Sequence, residues 1–335
     1  MVEAQRERNT VNELAQDVTV VVRAAGERTV DLCFGLAAEQ VPPGSVFLVR
    51  ESPSAVAMRR VLEIGLEQGR TWTIELDADM LIRRGAILDL LRGFENPPPD
   101  VFTIKGRKLD KLFAGVREGG MHVYRTALLR QALEVAPKPE EAVRPDTTMV
   151  DRMRQRGFRR ILRAETVSCI HDYEQYYRDI YRKAFVHARK HLAFMPYLLP
   201  MWQRLSQFDF DYQVAIWGAR AGLSYDGAFS IDVRTLPHEI APLLAMAGRA
   251  EKPAEIAGDY SAAAISHRIA GHQPPAEFGD FEWMLDSRPR RSKLAGAARR
   301  TGYLKLAPWL AGVVMKRAGE RLEAWANRRR QNQAG

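Results

Sequence analysis

The sequence predicts an α/β fold with a mostly parallel sheet and a helical C-terminal region, and three observations carry that expectation. Short β-branched runs alternate with helical stretches between Val18 and Glu75, the pattern of strand–helix–strand units. The apolar run over residues 71–76 leads straight into Asp77-Ala78-Asp79, which sets two carboxylates at the carboxyl edge of the sheet, where open α/β sheets bind their ligands. Beyond about residue 175 helical periodicity replaces the β-branched runs.

Taken in order, the pattern predicts strands over 18–23, 46–50, 71–76, 101–105, 121–124 and 161–170. Helices are expected over 29–40, 55–68 with Gly69 as the stop, 86–92, around 126–134, and 147–156. The Pro97-Pro98-Pro99 loop ends the third helix, because proline removes a donor and disfavours helical backbone before it. Residues 105–121 read as a basic connection punctuated by Gly119-Gly120, and His171 closes the last strand. The organisation is therefore an α/β domain over 1–175 and a helical region over 176–335 with a basic amphipathic tail.

At 335 residues and 46% hydrophobic content, the chain can bury a substantial core. Cys33 and Cys169 lie in apolar segments without metal-ligand spacing, so they read as buried thiols in a reducing, cytoplasmic setting. The opening residues are polar and the first apolar run, 18–22, is only strand length, which argues against a secretory signal. A formal net charge of +9 favours anionic partners, yet much of the excess sits in Arg288-Pro289-Arg290-Arg291, Arg299-Arg300, Lys316-Arg317 and Arg328-Arg329-Arg330. With no recognisable nucleic-acid module, nucleic acid is set aside. The aromatic and basic stretch 303–315 is too short to span a bilayer; it suits either packing on the domain or peripheral contact at the inner face of a membrane.

Asp77-Ala78-Asp79 carries the chemistry. Breaking a glycosidic bond to a nucleoside diphosphate builds charge on the leaving group, and a divalent cation neutralises it. Mn²⁺ and Mg²⁺ prefer carboxylate oxygens, and Asp-x-Asp on a turn aims two of them at one side. Over roughly residues 17–175 the chain resembles glycosyltransferases of the GT-A (Rossmann-like) fold, including the large family-2-like group. The resemblance rests on the opening strand Val18-Thr19-Val20-Val21-Val22-Arg23, on Asp77-Ala78-Asp79, and on Asp146 followed by Arg152-Met153 and Gly157. The last segment departs from the family pattern in having Pro145 where an acidic residue is usual, and Met149 and Met153 in place of leucines.

The resemblance implies a transferase that moves a sugar from a nucleotide donor, UDP- or GDP-linked, to a glycan or lipid-linked acceptor, as in surface polysaccharide synthesis. It implies Asp79 as the direct ligand of Mn²⁺ or Mg²⁺, Asp77 assisting at metal or ribose, and His171 completing the metal shell. Asp146 inherits the general-base role, with inversion favoured; its competing reading is a cap on helix 147–156. Glu51 at the end of the second strand is, by the resemblance, a nucleotide contact, with ordinary solvation as the alternative; Arg23 at the end of the first strand, and Lys105 or Arg107, are weaker candidates for the base, the phosphates or an anionic acceptor.

Other classes fit less well. A haloacid-dehalogenase-type phosphatase wants Thr or Val where Leu81 stands, and wants its motif after the first strand. A nucleotidylyltransferase would need a glycine-rich phosphate loop, for which Ala24-Ala25-Gly26-Glu27-Arg28 is a poor substitute. His187 and His191 have zinc spacing but no evident third ligand. A non-catalytic nucleotide- or anion-binding protein remains the alternative from another class.

Overall fold

A computed structural model describes residues 15–139, 141–142, 144–227, 229 and 239–273 of the protein. The basic tail beyond residue 273 lies outside the described residues. The described parts of Met1–Asp179 and Phe229–Pro274 form one compact unit, and those of Ile180–Ala228 belong to a second.

The first unit is built on a seven-stranded sheet of order β2-β1-β3-β6-β5-β7-β4. Its strands are β1 (Val18–Arg23), β2 (Val46–Val49), β3 (Trp72–Asp77), β4 (Met80–Ile82), β5 (Val101–Asp110), β6 (Gly115–Arg125) and β7 (Arg159–His171). β1 is central and buried on both faces, as its unbroken β-branched run requires. Its alternate side chains face different layers. Val18, Val20 and Val22 pack with Cys33 and Leu36 of α1 (Val30–Ala38), whereas Val21 packs with Val61 and Ile64 of α2 (Ser54–Gln68). Gly69 ends α2 in the left-handed conformation at φ 66°, the role its position predicts.

The sheet is mixed, which corrects the mostly parallel expectation. β1 runs parallel to β2 and β3, and β5 parallel to β7, but β6 is antiparallel to both β3 and β5, and β4 is antiparallel to β7. The cause is the segment read as a basic connection. Its residues extend β5 to Asp110 and begin β6 at Gly115, and the short link between them can only join antiparallel neighbours. The Gly119-Gly120 pair lies inside β6, at φ 145° and 96°, near the register shift between Lys105 and Arg107; it belongs to a bulge and not to a loop.

Since β6 opposes both β3 and β5, strands β1, β2, β3, β5 and β7 all point the same way and end at one rim. β4 adds a second constraint. Only Ala78 and Asp79 separate it from β3, yet three strands lie between the two in the ladder. Four strand spacings would cover about 19 Å in a flat sheet, whereas three residue steps reach only about 11 Å. The sheet therefore curls, bringing the end of β7 round to the turn after β3.

Helices α3 (Ala86–Leu91), α4 (Leu129–Val135) and α5 (Pro145–Gln155) complete the layers of this unit, with α9 (Ala241–Met246) and α10 (Ala262–Ala270) returning from later sequence. α6 (Tyr177–Lys190) leads into the second unit, which also holds α7 (Met195–Leu205) and α8 (Phe210–Leu223). Here α8 lies close against α6: a Cβ added at Gly218 would come 2.1 Å from the Tyr181 carbonyl oxygen, and one at Gly222 would come 2.5 Å from that of Phe185. Among the described residues no helix is long and apolar enough to cross a membrane.

Because the obstacle at Gly218 is backbone and cannot rotate away, Gly218→Ala is expected to destabilise the protein by about 1–3 kcal/mol in thermal or denaturant unfolding.

Candidate active site at the sheet rim

Each rim residue is placed by the strand that ends beneath it. Arg23 closes β1, Asp77 closes β3 directly beside it, Asp110 closes β5 and His171 closes β7 opposite Asp110. Asp79 follows in the turn before β4. The antiparallel pairing of Met80 with His171, and the Asp172 N–H donating to the Asp79 carbonyl at 3.3 Å, bring these distant residues together. α1 supports the turn from below: the Thr29 hydroxyl donates to the Ala78 carbonyl at 2.7 Å, and the Cys33 thiol to that of Met80 at 3.3 Å. Both cysteines are buried free thiols, and burial raises the pKa of each.

Asp79, His171 and Asp172 offer one ligand atom each, all within 4.8 Å of one another. Two of the three residues expected at a metal thus converge. The third, Asp77, does not join them. Its carboxylate accepts from Arg23 Nε at 2.9 Å and Nη2 at 2.5 Å. Asp172 was missed in the sequence, where the available signal was its adjacency to His171 at a strand end. It takes the left-handed conformation at φ 65°, which turns the chain sharply as β7 ends. The donor set of two carboxylates and one imidazole suits Mn²⁺, and with water also Mg²⁺.

Around this group, charge is arranged in depth. His171 Nε2 lies 3.6 Å from Asp79 Oδ1, while Nδ1 lies 2.9 Å from both Asp110 Oδ2 and Asp172 Oδ2. Burial alone would lower the His171 pKa, but Asp172, Asp79 and Asp110 raise it on balance. Asp110 is fully buried, and burial disfavours its charge; Arg117, His171 and Lys108 nevertheless hold it well below the usual carboxylate range. Burial and the neighbouring Arg117 push the Lys108 ammonium down to about 8.

A second network lies along β1, β3, β6 and β5. Arg23 Nη1 contacts buried Glu75 at 2.5 Å, and the Tyr124 hydroxyl donates to Glu75 at 2.7 Å. The Arg23 guanidinium is therefore committed to Glu75 and Asp77. His122 stands opposite Glu75 on one side and Lys105 on the other, and its Nε2 lies 3.3 Å from Asp146 Oδ2. Sequence reasoning missed His122 because a single histidine in a short strand carries no motif. The capping reading of Asp146 is corrected: α5 begins at Pro145, its N-cap is Arg144 without a side-chain bond, and the Asp146 carboxylate turns to His122. Burial opposes its charge, but His122, Lys105 and Arg23 outweigh that and hold Asp146 well below the usual range.

The remaining candidates stay apart. Glu51 is exposed two residues beyond β2, and its carboxylate accepts from the Arg50 N–H. Arg107 is in β5 and donates to the Val116 carbonyl. Burial lowers the Lys105 pKa. His187 and His191 have ring centroids 5.4 Å apart, and among the described residues they belong to no three-ligand group.

The depressed Asp146 pKa has a definite sign for stability. In the unfolded chain the group titrates near 4, so its contribution is fully present above that pH and is lost as pH falls through the lower folded value. Asp146→Asn is expected to be less stable than the native protein at neutral pH and to show a flatter loss of stability between about pH 5 and pH 2 in chemical denaturation.

No protein-family model and no curated protein matches the sequence. Among solved structures, the chain is similar to a cytidylyltransferase from Leptospira borgpetersenii serovar Hardjo-bovis (strain JB197), at 11% identity and a TM-score of 0.32, covering 64% of this chain and 99% of that one. At that TM-score the likeness carries neither the fold nor the reaction.

Proposed function

We propose that the protein is a metal-dependent glycosyltransferase that takes a sugar from a nucleoside diphosphate donor. The observation that carries this reading is the convergence of Asp79, His171 and Asp172 at the rim where five co-directional strands end. Two carboxylates and an imidazole there suit Mn²⁺ better than Mg²⁺, since magnesium favours an all-oxygen shell. A divalent cation, when bound, supplies the positive charge that offsets the departing diphosphate.

The protein's own groups divide the other tasks. Asp79, Asp172 and the Nε2 of His171 hold the cation. Asp77, fixed by Arg23 and 36% exposed at its side chain, presents an acceptor oxygen to a ribose hydroxyl. Glu51, exposed two residues beyond the end of β2, is assigned to the nucleoside. Asp146 accepts the proton of the attacking hydroxyl, which favours inversion. So stabilised a carboxylate is a weak base at rest, so the incoming hydroxyl has to displace part of its contact with His122. The acceptor is a glycan or lipid-linked glycan, and the basic tail is assigned to an anionic membrane surface.

The test is thermal stabilisation by a panel of nucleotide-sugars with and without Mn²⁺. A shift that needs both Mn²⁺ and one nucleotide class is expected, and Asp79→Ala is expected to abolish it. No shift with any donor would overturn the reading. A metal-dependent shift without sugar transfer to any glycan acceptor or to water would instead identify a non-catalytic nucleotide-binding protein. Asp146→Ala is expected to leave the shift intact while lowering kcat about 10²–10⁴-fold.

A further inference from the structure

Asp110 is outside the three-ligand group, yet it is the most firmly held carboxylate beside it. Its side chain is inaccessible to solvent. Oδ2 accepts from Arg117 Nε at 2.7 Å and lies 2.5 Å from Arg117 Nη2, and Oδ1 accepts from the Phe113 N–H at 3.2 Å. Lys108 Nζ stands 3.7 Å away. Arg117 on Oδ2 and the Phe113 N–H on Oδ1 fix the carboxylate where Oδ2 also meets His171 Nδ1 at 2.9 Å.

We propose that Asp110 is a positioning residue: it accepts the Nδ1–H of His171 and so turns the Nε2 lone pair toward Asp79 and the divalent cation. The proposal rests on the cation reading above. A neutral imidazole has one donor and one acceptor nitrogen, and an ionised carboxylate can only accept. The carboxylate therefore selects the tautomer that carries its proton on Nδ1, leaving Nε2 as the ligand atom. Asp172 Oδ2 also lies 2.9 Å from Nδ1 as an ion-pair contact, but the hydrogen bond of that nitrogen goes to Asp110. On the other side, Nε2 is 3.6 Å from Asp79 Oδ1, beyond hydrogen-bond range, so no Nε2–H bond to that carboxylate competes for the tautomer. Ring position follows as well, because β5 and β7 are paired at Asp110 and His171.

The tautomer is read directly by long-range ¹H–¹⁵N correlation on metal-free, ¹⁵N-labelled protein, at a pH alkaline enough for the imidazole to be neutral. The chain has 7 histidines, and loss of one signal set in His171→Gln identifies the one concerned. His171 is expected to carry its proton on Nδ1. In Asp110→Asn that bias is expected to weaken, and Mn²⁺ affinity by calorimetry to fall about 10–100-fold. A merely structural Asp110 would lower Tm without moving either readout in the folded variant. If Asp110→Asn does not fold, the wild-type tautomer decides alone. A proton on Nε2 in the wild type, or an Asp110→Asn protein that binds Mn²⁺ as tightly as wild type, overturns the assignment. A wild-type protein that takes up no Mn²⁺ overturns the cation reading itself.

Discussion

The three-residue ladder between β4 and the end of β7 is the constraint on which the candidate site depends. β3 is in the middle of the sheet and β7 near its edge, and no local preference would bring Asp79 to His171. The ladder does so by making the chain leave β3, turn through Ala78 and Asp79, and pair at once with the far side of a curled sheet. Fold and site are then one problem. The hydrogen bonds that close the curl are also those that set the distance between the acidic turn and the imidazole.

Around that closure the sheet separates two charge networks with different work. On one side, Arg23 is held by Glu75 and Asp77, and Tyr124 and His122 extend the network toward Asp146. On the other, Arg117 and Lys108 balance Asp110 beneath His171. Buried carboxylates of this kind contribute little net stability, since desolvation offsets most of their attraction, but removing one partner leaves an uncompensated charge. Such networks are better understood as scaffolding for the orientation of the exposed groups than as a source of folding energy.

Much of this was legible in the sequence, and the exceptions have physical causes. β1, α1, α2 and β3 follow from β-branched runs, helical spacing and the glycine stop, with boundaries within a residue or two. Asp79 and His171 were singled out through the resemblance, from the Asp-x-Asp motif after an apolar strand and a histidine closing a later one, and the fold brings their side chains together. The β5–β6 hairpin was not, because its residues are charged or glycine where a strand would ordinarily show alternation: Lys105, Arg107, Lys108, Arg117, Glu118, Gly119 and Gly120 look like a loop. Missing that hairpin hid the antiparallel direction of the strand that contains residues 121–124, and it hid Asp110, which ends the extended β5. Asp146 was legible as a functional candidate, but its partner was not, since the contact bridges a helix and a strand that share no motif.

The position of Cys33 bears on how the protein meets thiol chemistry. Its sulfur lies in the floor under the acidic turn, close to the carbonyls of Asp77 and Met80, and burial keeps it in the unreactive thiol form. An alkylating reagent or peroxide reaches that sulfur only when α1 lifts from the sheet. Because the sulfur is fully enclosed, oxidation at this one atom would be slow to occur, and an added group would crowd the carbonyls of Asp77 and Met80 on either side of Asp79.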